Sequence, residues 1–222
     1  MPNEVRERID MGISEYSESG GGGTIISRRC VRQSNVKLMD EIKKKYQIIY
    51  ADPPWRYDFC KDNSDKIEVH YPTMTNEDIC KIEVPSEDNS VLYLWATAPK
   101  LLEALAVMKA WGFTYKTQAV WDKTWVGMGY WFRGQHEILM VGTKGKFSPP
   151  IPTARESSVY REKKSKHSKK PQYFKDLLNR QFPDKTKLEL FARQKTEGWD
   201  VWGNEVEGSI DLQPQKGLTN AK

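Results

Sequence analysis

Four consecutive residues, Asp52-Pro53-Pro54-Trp55, combine side chains that could act on a planar amine. A carboxylate accepts hydrogen bonds from an NH2 group, a proline carbonyl adds a second acceptor, and an indole offers a flat apolar face. That set suits a nucleobase amine. The same residues also fit a plain Pro-Pro turn capped by Asp52, since short motifs recur by chance.

A second group is basic. Arg161-Glu162-Lys163-Lys164-Ser165-Lys166-His167-Ser168-Lys169-Lys170 is the only strongly cationic run in the chain. It places Lys163, Lys164 and Lys166 where they would neutralise phosphates, with a solvated charged loop as the alternative. Other chemistries find less support. Cys30, Cys60 and Cys80, and His70, His136 and His167, are scattered, so neither a disulfide framework nor a metal site is expected. His136-Glu137 opens an apolar run, and structural hydrogen bonding is expected there rather than an acid/base pair.

The elements that must position these groups follow from the apolar pattern. Ile48-Ile49-Tyr50-Ala51 reads as a strand buried on both faces, and the prolines after Asp52 end it because neither has an N–H for a ladder. Asp52 would then sit at a carboxyl-terminal strand end, where open α/β sheets bind ligands. Further strands are predicted over 90–97, 114–121, 136–142 and 187–192. Helices are predicted from a Thr75 cap, from Pro99 to Gly112 with Leu101, Leu105 and Met108 inward, and over 171–182. Strand and helix alternation at this spacing implies crossover units and a mostly parallel sheet. Trp95, Trp111, Trp121 and Trp202 fall within these elements and read as core. Trp55, with Trp125 and Trp131 in a loop, reads as substrate surface.

With 222 residues the chain has room for one α/β domain with tails. The expected division is a flexible leader over 1–33 that includes Ser17-Glu18-Ser19 and four glycines, a catalytic domain over 34–207, and a flexible tail over 208–222. Residues 56–70 are polar and read as a mobile loop. The net charge of +5 permits nucleic-acid contact without demanding it. A charged amino terminus and the lack of a long apolar run lead to the expectation of a cytoplasmic protein outside any membrane.

Taken in order, Asp52-Pro53-Pro54-Trp55, Tyr71-Pro72-Thr73-Met74, Leu94-Trp95-Ala96-Thr97, Trp111-Gly112-Phe113, Val120-Trp121-Asp122-Lys123, His136-Glu137 with Val141-Gly142-Thr143-Lys144-Gly145, His167-Ser168-Lys169-Lys170-Pro171, Glu189-Leu190-Phe191-Ala192-Arg193 and Gly203-Asn204-Glu205 resemble the blocks of the methyltransferase-A seventy family of N6-adenine methyltransferases. The resemblance spans residues 46–205. It implies a Rossmann-like sheet with helices on both faces, S-adenosylmethionine as methyl donor, and a permuted order in which the catalytic loop precedes the donor-binding strand.

By matching position, the resemblance implies that Asp52, Pro53, Pro54 and Trp55 form the catalytic loop, with Asp52 and the Pro53 carbonyl on the adenine amine. Trp55 and Tyr71 would shape the base pocket. Asp52, Ser168, Lys170, Arg193, Asn204 and Glu205 would hold the donor. Ala192 stands where the family often has glycine, and Gln194-Lys195-Thr196 departs from the His-Asn pair of eukaryotic messenger-RNA relatives. The expected activity is methylation of adenine N6 in DNA. Action on RNA is the alternative, and a non-catalytic nucleic-acid-binding partner is a more distant one.

Overall fold

The computed structural model describes residues 44–57, 73–164, 169–210 and 212, all within the compact unit Lys43–Lys222. Inside its sheet lies β1 (Tyr46–Ala51), a strand with almost no solvent exposure. β1 pairs in parallel with β2 (Ser86–Ala96) on one side and with β6 (Lys187–Leu190) on the other. Covered on both faces, such a strand needs a continuous apolar run, which Ile48 to Ala51 supplies.

The sheet extends through β3 (Thr114–Asp122), β4 (His136–Lys144), β5 (Val159–Arg161) and β7 (Asp200–Trp202) in the order β5-β3-β4-β2-β1-β6-β7. β4 alone is reversed, antiparallel to both β2 and β3. The remaining pairings are parallel, so the expected mostly parallel sheet is what forms.

Alternation along the strands divides the core between two faces. On one, Ile49, Leu92, Leu94 and Met140 meet α1 (Asn76–Cys80) through Ile79, and α2 (Leu101–Ala110) through Ala104, Val107 and Met108. On the other, Tyr50, Tyr93, Trp95 and Leu139 meet α3 (Gln172–Gln181) through Phe174 and Leu178. Trp95 anchors this second face, edge-on to Tyr50, Trp121 and Phe174. Helices therefore cover both faces. Among the described residues no helix is long and apolar enough to cross a membrane.

Several boundaries differ from expectation, each for a local reason. β2 starts at Ser86 and β4 runs on to Lys144 because each finds a partner across the ladder there. β6 stops at Leu190, since Phe191 takes a φ of 62° and turns the chain out of the sheet. The helix after Pro99 opens as a 3-10 turn, Ala98–Lys100, and buries Ala104, Val107 and Met108. Leu101 and Leu105 reach only its partly buried margin. The expected tail from 208 is not free at its start: Ser209 N donates to Val201 O at 2.8 Å, and Ile210 and Leu212 lie against the core. The expected leader and most of the expected mobile loop fall outside the described residues.

Candidate active site

Strand direction gathers the site. β1, β3, β5, β6 and β7 bring their carboxyl ends to one edge of the sheet, and reversed β4 brings its amino end there. The residues just beyond those ends are Asp52, Lys123, Lys163 and Lys164, Arg193, and Asn204 with Glu205; Glu137 opens β4 beside them.

Lys170, immediately before α3, reaches Asp52 with its Nζ 2.7 Å from both Oδ1 and Oδ2. The same ammonium lies 3.3 Å from Glu137 Oε2 and 5.5 Å from the centre of the Trp95 ring. Lys123 Nζ, 3.3 Å from Glu137 Oε1, closes a four-residue chain of alternating charge. Burial pushes the Asp52 carboxyl above the usual carboxylate range; Lys170 pulls it back without cancelling the effect, and nearby Glu137 adds to the rise. For Lys170 burial works against the charge, but Asp52 and Glu137 outweigh it and hold its affinity for the proton above that of an ordinary lysine. Glu137 also resists burial, and Lys170 and Lys123 together keep it below the usual glutamate range.

Two hollows flank this cluster. One, of about 60 Å³, is lined by Asp52, Pro54, Phe191, Ala192, Arg193, Asn204 and Glu205. The other, of about 220 Å³, lies under Lys169 and Lys170 and is floored by Tyr50, Lys175 and Glu189. Asp52, Phe191 and Arg193 line both. Beside the small hollow, Gly203 packs backbone to backbone on Ala192: a Cβ on Gly203 would lie 2.1 Å from Ala192 O. Arg193 Nε stands 3.5 Å from Glu205 Oε1. A larger cavity of about 570 Å³ between β3, β4 and α3 is mostly apolar and includes none of the expected site residues.

The structure thus brings together Asp52, Lys170, Arg193, Asn204 and Glu205 as expected. Trp55 departs from expectation. Its ring is 5% exposed in the core, with Nε1 donating to Trp95 O at 3.0 Å, so it presents no stacking plate; buried, its N–H needs an acceptor and finds one inward. The Pro53 carbonyl, expected as an acceptor for the amine, already accepts from Trp55 N at 2.9 Å, and Pro54 O accepts from Met74 N at 2.9 Å. The loop is stiffened by these bonds as well as by its prolines. Lys163 and Lys164 are exposed beyond β5. Tyr71, Lys166 and Ser168 lie outside the described residues.

Sequence reasoning missed two parts of the site. Glu137 is the second carboxylate on Lys170, not merely a strand-start hydrogen-bonding residue. Lys175 and Glu189 form a buried pair at 2.6 Å beneath the larger hollow, with Thr196 Oγ1 3.2 Å from the same ammonium. Burial raises the Glu189 carboxyl, and Lys175 opposes the rise. An acid inside the apolar strand Lys187–Leu190 was the available signal, because buried carboxylates need a partner.

Known proteins share much of this sequence. The MT-A70 family model matches residues 46–205. A type II methyltransferase, M.MunI, from a Mycoplasma species is 32% identical over 219 residues, covering 86% of this chain and 94% of the relative. An N(6)-adenosine-methyltransferase MT-A70-like protein of Arabidopsis thaliana is 27% identical over 179 residues, 76% of this chain but 25% of its own length. An N6-methyladenosine RNA methyltransferase, MTA1, of Pyricularia oryzae is 24% identical over 193 residues, 78% of this chain and 50% of its own. The chain belongs to the MT-A70 family and is a methyltransferase.

Proposed function

We propose that the protein transfers a methyl group from S-adenosylmethionine to the exocyclic N6 amine of adenine in DNA. The observation that carries this reading is Asp52 at the end of β1, held by Lys170 through both oxygens and opening into the crevice it shares with Arg193, Asn204 and Glu205.

The donor set fits S-adenosylmethionine. Lys170 suits a carboxylate and Asp52 an ammonium at one end, while Asn204 and Glu205 suit ribose hydroxyls at the other. The close approach of Gly203 to the Ala192 backbone fixes the position of Asn204 and Glu205. When bound, the donor would supply an electrophilic methyl on a sulfonium centre.

The protein's own part is to hold and polarise the adenine amine. That amine is a weak nucleophile because its lone pair is delocalised into the ring. Asp52 keeps acceptor capacity beyond its contacts with Lys170, since a carboxylate offers about four lone-pair directions. The Pro53 carbonyl retains one lone pair beside its bond to Trp55 N. These acceptors favour the pyramidal amine that forms only as the new bond is made, which is where binding accelerates a reaction. Lys170 holds the carboxylate in place and, with Glu137 behind it, keeps its own charge.

Length favours DNA as the polymer. The type II methyltransferase is matched along 94% of its length, against 50% for the relative named for RNA. The test is transfer of label from a methyl-labelled donor to DNA and RNA, each single-stranded and duplex. Label recovered as N6-methyladenine in DNA is the expected result. Label confined to RNA would move the reading to that polymer, and label in neither would leave a nucleic-acid-binding protein without activity.

A further inference from the structure

Between β3 and β4 the chain leaves the site edge as a hairpin whose tip carries Met128, Tyr130, Trp131 and Phe132. They are 89%, 91%, 94% and 91% exposed. Four large apolar groups in water at one tip mark a surface that meets something. The exposure is imposed by a built loop. Lys123 N donates to Gln135 O at 2.9 Å, Gly127 N to Gly134 O at 2.8 Å, and Arg133 Nε to Gly127 O at 2.9 Å. Asp122 pins the base of the loop, accepting from Thr124 N at 2.9 Å and Gln135 Nε2 at 2.8 Å. At the tip a Cβ on Gly129 would lie 2.0 Å from Phe132 O, so the turn closes only around glycine.

Its surroundings indicate the partner. Lys123, at the root of the hairpin, joins through Glu137 and Lys170 to Asp52, so the tip rises from the edge that holds the reacting carboxylate. Arg133 lies within the loop, and Lys163 and Lys164 follow the neighbouring strand to the same edge. The acids nearby are paired: Asp122 with Arg161 at 2.8 Å, Glu137 with Lys123 and Lys170, and Glu162 with the Tyr160 hydroxyl at 2.5 Å. An apolar tip framed by cations complements a polyanion whose interior is stacked and apolar.

We propose that Met128, Tyr130, Trp131 and Phe132 form a wedge that enters a DNA duplex beside the target adenine and fills the space left when that base swings into the site. The proposal rests on the methyl-transfer reading and deepens it by naming duplex as the substrate form. A base paired inside a duplex cannot reach Asp52, and inserted apolar side chains are a general means of opening a stack.

The test compares wild type with a Tyr130→Ala/Trp131→Ala/Phe132→Ala variant on one genomic DNA, offered as duplex and as heat-denatured strands. The triple variant is expected to lose about 10- to 100-fold on duplex, the range given by stacking of one base on an aromatic ring, and to stay within about 3-fold on single strands. Equal loss on both forms, or no loss on duplex, overturns the wedge. So does a wild-type dimer that the substitutions dissociate while the duplex-to-single-strand ratio holds, because the tip would then serve self-association. Binding provides an arm independent of activity: duplex should quench the fluorescence contributed by Trp131, read as the difference between wild type and Trp131→Phe. Absence of that quenching overturns the wedge even where methylation is intact. Quenching without methylation on any DNA overturns the methyl-transfer reading instead.

Discussion

Asp52 accepts most strongly from an amine when ionised, yet its surroundings raise its affinity for the proton, chiefly by burial and only in part relieved by Lys170. The sign follows directly. Activity should rise with pH as the carboxyl ionises, with the acid limb of the kcat/KM profile above the ordinary aspartate value of 3.8. Lys170, raised above 10.5, stays charged throughout and contributes no alkaline limb below that value. Lys170→Met removes the relief and should move the acid limb upward, a displacement that a purely structural role would not produce. It should also cost roughly 3 kcal/mol in thermal or denaturant unfolding, because Asp52 and Glu137 are left facing each other without the cation. Asp52→Asn keeps the shape and should lower methyl transfer by about 10²- to 10³-fold or more, with the folded state retained by circular dichroism. A variant that methylates adenine at a near wild-type rate would remove Asp52 from the mechanism.

Elements differed in how far the sequence disclosed them. β1 and α3 were legible because an apolar run cut by two prolines and an amphipathic stretch after Pro171 each admit one reading. β5 and β7 were not, since three residues carry no period and these strands exist only through their neighbours β3 and β6. The site divided in the same way. Asp52, Lys170 and Arg193 were given their roles through motif blocks, whereas Glu137, though also in a block, reaches Lys170 because β4 is reversed, a property no local pattern encodes. Trp55 was misplaced because its neighbours in sequence say nothing of the inward acceptor at Trp95 O. The β6–β7 end also yields a prediction. Gly203→Ala forces a Cβ to 2.1 Å from Ala192 O, so backbone must move; the melting temperature should fall by the equivalent of about 1–3 kcal/mol, and calorimetry should show weakened donor binding. Unchanged donor affinity would mean that the Gly203 contact does not position Asn204 and Glu205 for the donor.

At the scale of the whole molecule, the cations beyond β3 and β5 share an edge with Asp52, so substrate binding should depend on salt. Lys163→Glu with Lys164→Glu should flatten the slope of log affinity against log salt by about 1 for each phosphate no longer neutralised, without changing donor binding. An unchanged slope would make them a solubilising surface only. The position of β1 has a further consequence, for synthesis rather than catalysis. Its β2 neighbour follows soon in the chain, but its other edge waits for β6: Gln47 bonds Thr186, 139 residues away, and the Tyr46 hydroxyl bonds Asp200, 154 away. A ribosome therefore emits this interior strand long before the strand that covers it. Until residues 187–190 appear, the nascent chain carries an open, apolar edge of the kind that recruits other strands. Its yield in a cell should accordingly depend on chaperones that shield growing chains, and a chain stopped before residue 187 should aggregate rather than survive as a smaller enzyme.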